Sequence, residues 1–142
     1  MVYRQYYSTR KHQKQVCFYV LSQSSHFQSQ VVAVTGAAGQ LGRLVLQRLF
    51  ALDEVSEVLA LDLVKPSLEH PKLTFVKTDI RDADFSTKIT NCDVLIHLAF
   101  VVTNYLPRIE YDAINVEGSK NVFRAAAKVG VSQIIYSSSV AA

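Results

Sequence analysis

Residues 31–42 read VVAVTGAAGQLG, and they leave the chain few choices of fold. Val31–Val34 is a short apolar run rich in β-branched side chains, the pattern of a strand buried on both faces of a parallel sheet. Thr35 and Gly36 end the run. Gly36, Gly39 and Gly42 follow at a spacing of three. A helical pattern starts near Gln40 and runs to about residue 52, with Leu41, Val45, Leu49 and Leu52 expected on one face. Strand, glycine turn and helix in direct succession open a βαβ unit.

Such a turn suits a phosphate. Gly36 permits the tight exit from the strand, Gly39 lets a pyrophosphate approach the backbone, and Gly42 lets the helix lie close against the sheet. The first amides of a helix have no partner within it, and the helix dipole favours an anion there. Gln40 and Leu41 are placed to donate such amides. The spacing is GxxGxxG rather than GxGxxG, so the strand–turn–helix setting carries the dinucleotide reading. Asp62 ends the next apolar run, about 20 residues beyond Gly42, where a ribose-binding acid belongs. A carboxylate there accepts hydrogen bonds from the ribose hydroxyls and repels a 2′-phosphate, which favours NAD over NADP. Lys65 is a dissenting base nearby.

At 142 residues the chain is sized for one domain, and 49% hydrophobic residues can fill its core. Residues 1–30 stand apart. They carry Arg4, Arg10, Lys11 and Lys14, no acid, and many Gln, Ser and Tyr. This composition reads as a disordered basic extension, with Val16–Leu21 as its one apolar patch. The patch is too short for a signal peptide, and no apolar run is long enough to span a bilayer. The remaining residues hold 11 basic and 12 acidic side chains, so the net charge of +3 does not describe the globular part. No basic face points to nucleic acid. Cys17 and Cys92 suggest neither a disulfide framework nor a metal site, and fit a reducing, cytoplasmic setting.

From Val31 onward strands and helices alternate. Strands are expected at 31–35, 58–61, 73–76, 94–98 and 134–136. Asp53–Glu57 reads as a polar connection, 65–72 as a loop, and 83–90 as a short helix that Asp82 could cap. Pro107 opens a long helix over about 108–129, with Ile114, Gly118, Val122, Ala125 and Val129 on one face and Gly130 closing it. Alternation at these lengths gives a parallel sheet in the order 3-2-1-4-5.

TGAAGQLG at the head of this series resembles the extended short-chain dehydrogenase/reductase family, the NAD-dependent epimerases and dehydratases. The resemblance covers Val31–Ala142, the N-terminal portion of such an enzyme. It implies an α/β, Rossmann-type doubly wound parallel sheet, truncated after the fifth strand. It implies that Asp79 accepts from the adenine amine and that Ile80 offers its backbone. His97-Leu98-Ala99-Phe100 is similar to the family's His-x-Ala-Ala segment, with Phe100 in place of a small residue. Leu98 and Ala99 would then wall the cofactor. A lone histidine on a buried strand is more often a satisfied core group, so no chemistry is assigned to His97. In Asn115-Val116-Glu117-Gly118, the resemblance implies that Asn115 faces the sheet and holds a backbone group or water, while Gly118 allows close helix packing. Ser139 matches the serine of the family's Ser–Tyr–Lys constellation, which bonds the substrate oxygen while the tyrosine moves the proton.

The Tyr-x-x-x-Lys pair of that constellation should follow further on. Downstream of the glycine turn Tyr105, Tyr111 and Tyr136 all lack a lysine four residues on. Two functions therefore stand side by side. One is the NAD-binding portion of an oxidoreductase that acts on a small molecule, of nucleotide-sugar type, and that is inactive as this chain alone. The other is a non-catalytic dinucleotide-binding or interaction module, or a gene remnant. Self-association through the fifth strand, an open sheet edge, is expected in either case.

Overall fold

The computed structural model describes residues 29–101 and 107–137. Five parallel strands form one sheet: β1 (Gln30–Thr35), β2 (Val55–Asp62), β3 (Leu73–Lys77), β4 (Val94–His97) and β5 (Gln133–Tyr136). Their order is β3-β2-β1-β4-β5, as the alternation implied. The order reverses direction at β1, between β2 and β4, which opens a crevice at the carboxyl ends of the strands.

The period of two along each strand divides the core into two layers. Val32, Val34, Val58, Ala60, Val94 and Ile96 face helix α1 (Gln40–Phe50) and its Leu46 and Leu49. Ala33, Leu61 and Leu95 face the other way, toward Phe85 and Ile89 of a 3₁₀ turn (Phe85–Ile89) and Val122, Ala125 and Ala126 of a second helical layer. That layer is α2 (Arg108–Asp112), a π-helical segment (Ala113–Gly118) and α3 (Ser119–Val129) in unbroken succession. Gly130 ends it with φ +76°, and the amides of Gly130 and Val131 donate back to Ala127 and Ala126. Those two bonds are the Schellman pattern that a left-handed glycine permits.

Four local expectations change. β2 starts at Val55, not Val58: Val55 is buried, and a register irregularity between Gln30 and Val31 lets β1 pair that far back. The buried face of α1 is Gly42, Leu46 and Leu49, while Leu41 and Leu52 are 50% and 46% exposed. Gly42 sets this rotation. A Cβ on it would lie 2.2 Å from the Gly36 carbonyl oxygen, so the start of the helix lies directly against the glycine turn while Leu46 and Leu49 pack on the sheet. Asp82 does not cap the 3₁₀ turn. Its carboxylate accepts from the Asp79 amide at 2.9 Å and the Thr78 hydroxyl at 3.0 Å, closing the loop after β3. The long helix carries a π-helical turn that no residue pattern announced. The expectations on residues 1–28 and on Ser139 lie outside the described residues.

Candidate functional site

The carboxyl ends of β1 to β4 enclose a cleft of about 510 Å³. Gly36, Ala38 and Gly39 border it after β1, and Asp62, Leu63 and Val64 after β2. Thr78 to Arg81 border it after β3, and Leu98 to Val101 after β4. Of the residues expected to bind, Gly36, Gly39, Asp62, Asp79, Ile80, Leu98 and Ala99 meet at this cleft. Gln40, Leu41 and Gly42 form the first turn of α1, at its edge.

The turn after β1 is closely packed. Gly36 has φ +69°, and a Cβ there would lie 2.7 Å from the Ala99 amide nitrogen. Its carbonyl accepts the Gly39 amide at 3.1 Å. Gly39 then begins α1 with no side-chain cap, and no acid occupies the first helical turn. The first intrahelical donor is Arg43, to Gly39 at 2.9 Å. The Gln40, Leu41 and Gly42 amides therefore have no acceptor within the helix, a setting that attracts an anion. A Cβ on Gly39 would meet only the Gly36 carbonyl, at 3.2 Å.

Asp62 stands opposite. Its Oδ2 accepts the Ala38 amide at 2.9 Å and its Oδ1 the Val64 amide at 3.2 Å. Lys65, the dissenting base, lies 4.0 Å from Glu69 on the surface. After β3, Arg81 grips Asp79, with Nε 3.0 Å from Oδ1 and Nη2 2.6 Å from Oδ2. The side-chain hydrogen bond from Arg81 holds the Asp79 carboxyl below its ordinary range, against the partial burial that would raise it. The Ile80 carbonyl accepts from Asn121 at 2.8 Å, and its side chain fills the space that Gly118 leaves open.

Asn115 lies outside the cleft lining and is a buried residue of the π-helical segment. Its Oδ1 accepts the Val101 amide at 2.8 Å and its Nδ2 donates to the Val101 carbonyl at 2.9 Å. The side chain thus holds one residue of the wall by both backbone groups. His97 is 1% exposed, bonded on one side to Thr35 and on the other to Ser119. Burial pushes its imidazole down to about 4. Thr35, Ser119 and Val101 were not singled out by sequence. The available signal was the four-residue separation of Asn115 and Ser119, which puts both on one helical face.

The arrangement can hold a dinucleotide. It offers open helix amides of a kind that suits a pyrophosphate, a fixed carboxylate of a kind that suits ribose hydroxyls, and a lining that includes Leu63, Val64, Ile80 and Leu98. Among the described residues no cluster of His, Cys, Asp or Glu could hold a metal ion. Among the same residues no helix is long and apolar enough to cross a membrane. The string Tyr7-Ser8-Thr9-Arg10-Lys11 does satisfy the Tyr-x-x-x-Lys spelling, but it precedes the glycine turn and lies outside the described residues.

Residues 33–142 match the 3-beta hydroxysteroid dehydrogenase/isomerase family. An uncharacterised protein of Mycobacterium tuberculosis is 37% identical over 109 residues, covering 76% of this chain and 12% of that protein. The uronate dehydrogenase of Agrobacterium tumefaciens, solved as a variant complexed with NAD, is 30% identical with a TM-score of 0.68, over 78% of this chain and 41% of that one. The UDP-N-acetylglucosamine 4-epimerase of Methanobrevibacter ruminantium, solved with UDP-N-acetylmuramic acid, is 26% identical with a TM-score of 0.71, over 80% and 39%. The chain thus spans well under half the length of these relatives.

Proposed function

Because this chain belongs to the 3-beta hydroxysteroid dehydrogenase/isomerase family, within the extended short-chain dehydrogenases/reductases, we propose that it is the NAD-binding portion of an NAD-dependent oxidoreductase of epimerase or dehydratase type. One observation carries the cofactor reading: the Asp62 carboxylate is fixed at the cleft, 2.9 Å from the amide of Ala38 in the glycine turn. A bound nicotinamide would supply hydride transfer to or from a substrate carbon. The amides of Gln40, Leu41 and Gly42 would hold the pyrophosphate, with Gly39 leaving room for it. Asp62 would take the adenosine ribose and exclude a 2′-phosphate. Asp79 and Ile80 would border the adenine, and Leu98 and Ala99 would form the wall. Ser139 would hold the substrate oxygen.

We assign a nucleotide-sugar type of substrate and a cytoplasmic setting to the same reading. The sugar-acting enzymes among the structural relatives support the first, and the cysteine usage supports the second. The domain is taken as residues 31–142, preceded by a basic extension. The second reading, a non-catalytic dinucleotide-binding module, rests on the tyrosines downstream of the glycine turn, none of which has a lysine four residues on. Titration calorimetry of the 142-residue chain with NAD and NADP tests the first claim. NAD binding with clear preference over NADP is the expected result; equal or tighter NADP binding overturns the role of Asp62. A turnover assay with nucleotide sugars tests the inactivity of this chain alone: none is expected under either reading, and turnover above buffer background would overturn that expectation and remove the module reading.

A further inference from the structure

Thr35, His97 and Tyr136 are register partners on β1, β4 and β5, so one row crosses the carboxyl end of the sheet. The rings of His97 and Tyr136 stack at 5.5 Å, and Phe123 of α3 meets both edge-on. Within this apolar enclosure His97 makes two polar contacts, Nδ1 with the Thr35 hydroxyl at 2.6 Å and Nε2 with the Ser119 hydroxyl at 2.9 Å.

Proton counting gives these contacts a direction. The Ser119 hydroxyl donates its one proton to the Asn115 carbonyl at 2.7 Å. Its oxygen must then accept from His97 Nε2–H. A neutral imidazole has no second proton, so Nδ1 accepts from the Thr35 hydroxyl. The Thr35 oxygen is left free to accept, and the amides of Leu98 and Ala99 both donate to it at 3.2 Å. The chain of bonds runs from Leu98 and Ala99 through Thr35, His97 and Ser119 to Asn115. Asn115 returns to the same segment by gripping Val101. The circuit starts and ends on the wall of the cleft.

The π-helical turn is part of this device. Such turns recur at functional sites because they re-aim side chains by one position. Here Asn115 lies inside the turn and Ser119 directly after it, so the irregular turn lies between the two helical members of the circuit.

We propose that Thr35, His97, Ser119 and Asn115 form one positioning circuit that fixes Leu98–Val101, and that His97 acts as a positioning residue for the dinucleotide cleft. The proposal rests on the NAD reading for its consequence and on geometry for its existence. Ser119→Ala cuts the circuit at a residue that touches neither Leu98 nor Val101. In the 142-residue chain we expect amide exchange at Leu98, Ala99 and Val101 to accelerate about tenfold, with β2 and β3 unchanged, and NAD to bind about tenfold more weakly. Thr35→Ser should restore both properties that Thr35→Val loses. The ¹⁵N spectrum of His97 should show the neutral Nε2–H tautomer. Wild-type exchange at Val101 in Ser119→Ala, or an Nδ1–H tautomer, overturns the circuit. If Ser119→Ala does not fold, the His97 tautomer and the Thr35 pair decide it. If the wild-type chain binds no NAD, the function reading falls, and the exchange and tautomer results still decide the circuit.

Discussion

Asp62 accepts the amide of Ala38 at 2.9 Å, across the boundary between β2 and the glycine turn. The Val64 amide holds the other oxygen at 3.2 Å. Two backbone donors thus orient the carboxylate before any ligand arrives. A group held in this way loses little freedom on binding, which is the physical meaning of preorganisation.

The first prediction follows from that pair. Asp62→Ala removes a charged acceptor, and hydrogen bonds to charged groups contribute about 1.5–3 kcal/mol. NAD affinity should fall by about tenfold to a hundredfold. NADP affinity should stay level or rise, because the repulsion toward its 2′-phosphate is gone. Calorimetry with both nucleotides checks it. An unchanged NAD-to-NADP ratio would show that Asp62 does not face the ribose.

Two glycines of one motif should fail in different ways. A Cβ on Gly42 would overlap the Gly36 carbonyl at 2.2 Å and Ala37 at 2.8 Å, all backbone. Gly42→Ala should therefore unfold or strongly destabilise the domain. A Cβ on Gly39 meets the Gly36 carbonyl at 3.2 Å, which a small shift relieves. Gly39→Ala should melt close to wild type, and Gly39→Val should fold and lose NAD. Thermal melts beside NAD titrations separate the two residues. A normal melt for Gly42→Ala would contradict the contact.

β5 leaves Ile134, Ile135 and Tyr136 exposed by 40%, 45% and 44%. Full burial of one such side chain is worth about 1.5–3 kcal/mol, and open edges recruit further strands. The purified 142-residue chain should self-associate at tens of micromolar, roughly the range in which exposed edges aggregate. Ile135→Lys should oppose it. Sedimentation decides: a monomer with a sharp melt would show the edge to be covered.

The strand order was legible because β-branched runs and glycine turns are local signals. The place of Asp62 at the cleft was legible because a fixed number of residues separates it from the turn. The rotation of α1 was not, since both Leu41 and Leu46 fit a helical period and only the overlap at Gly42 chooses between them. His97 and Thr35 were illegible for another reason. Their meaning lies in a register pairing between β1 and β4, 62 residues apart, and in a π-helical turn that shifts Asn115 and Ser119. Such long-range relations have no short-range sequence signal.

The last prediction concerns acid. Burial pushes the His97 imidazole down to about 4, while in the unfolded chain it titrates near 6.5. As pH falls, the unfolded state takes the proton first, so stability declines from about pH 6.5 to about pH 4 and then levels for this group. A shift of that size corresponds to about 3 kcal/mol. The groups against the ring are Thr35, Ser119, Phe123 and Tyr136, two hydroxyls and two aromatic rings with no carboxylate or cation among them. Asp79 works in the same direction but lower down. Its carboxyl is held below 3.8 in the fold, so its contribution is lost only as pH drops past the ordinary carboxylate range. His97→Gln keeps a donor and an acceptor but cannot take the proton. Its urea midpoint should therefore change less than wild type between pH 7 and pH 4.5. Parallel slopes for the two proteins would show that His97 is not the group that charges.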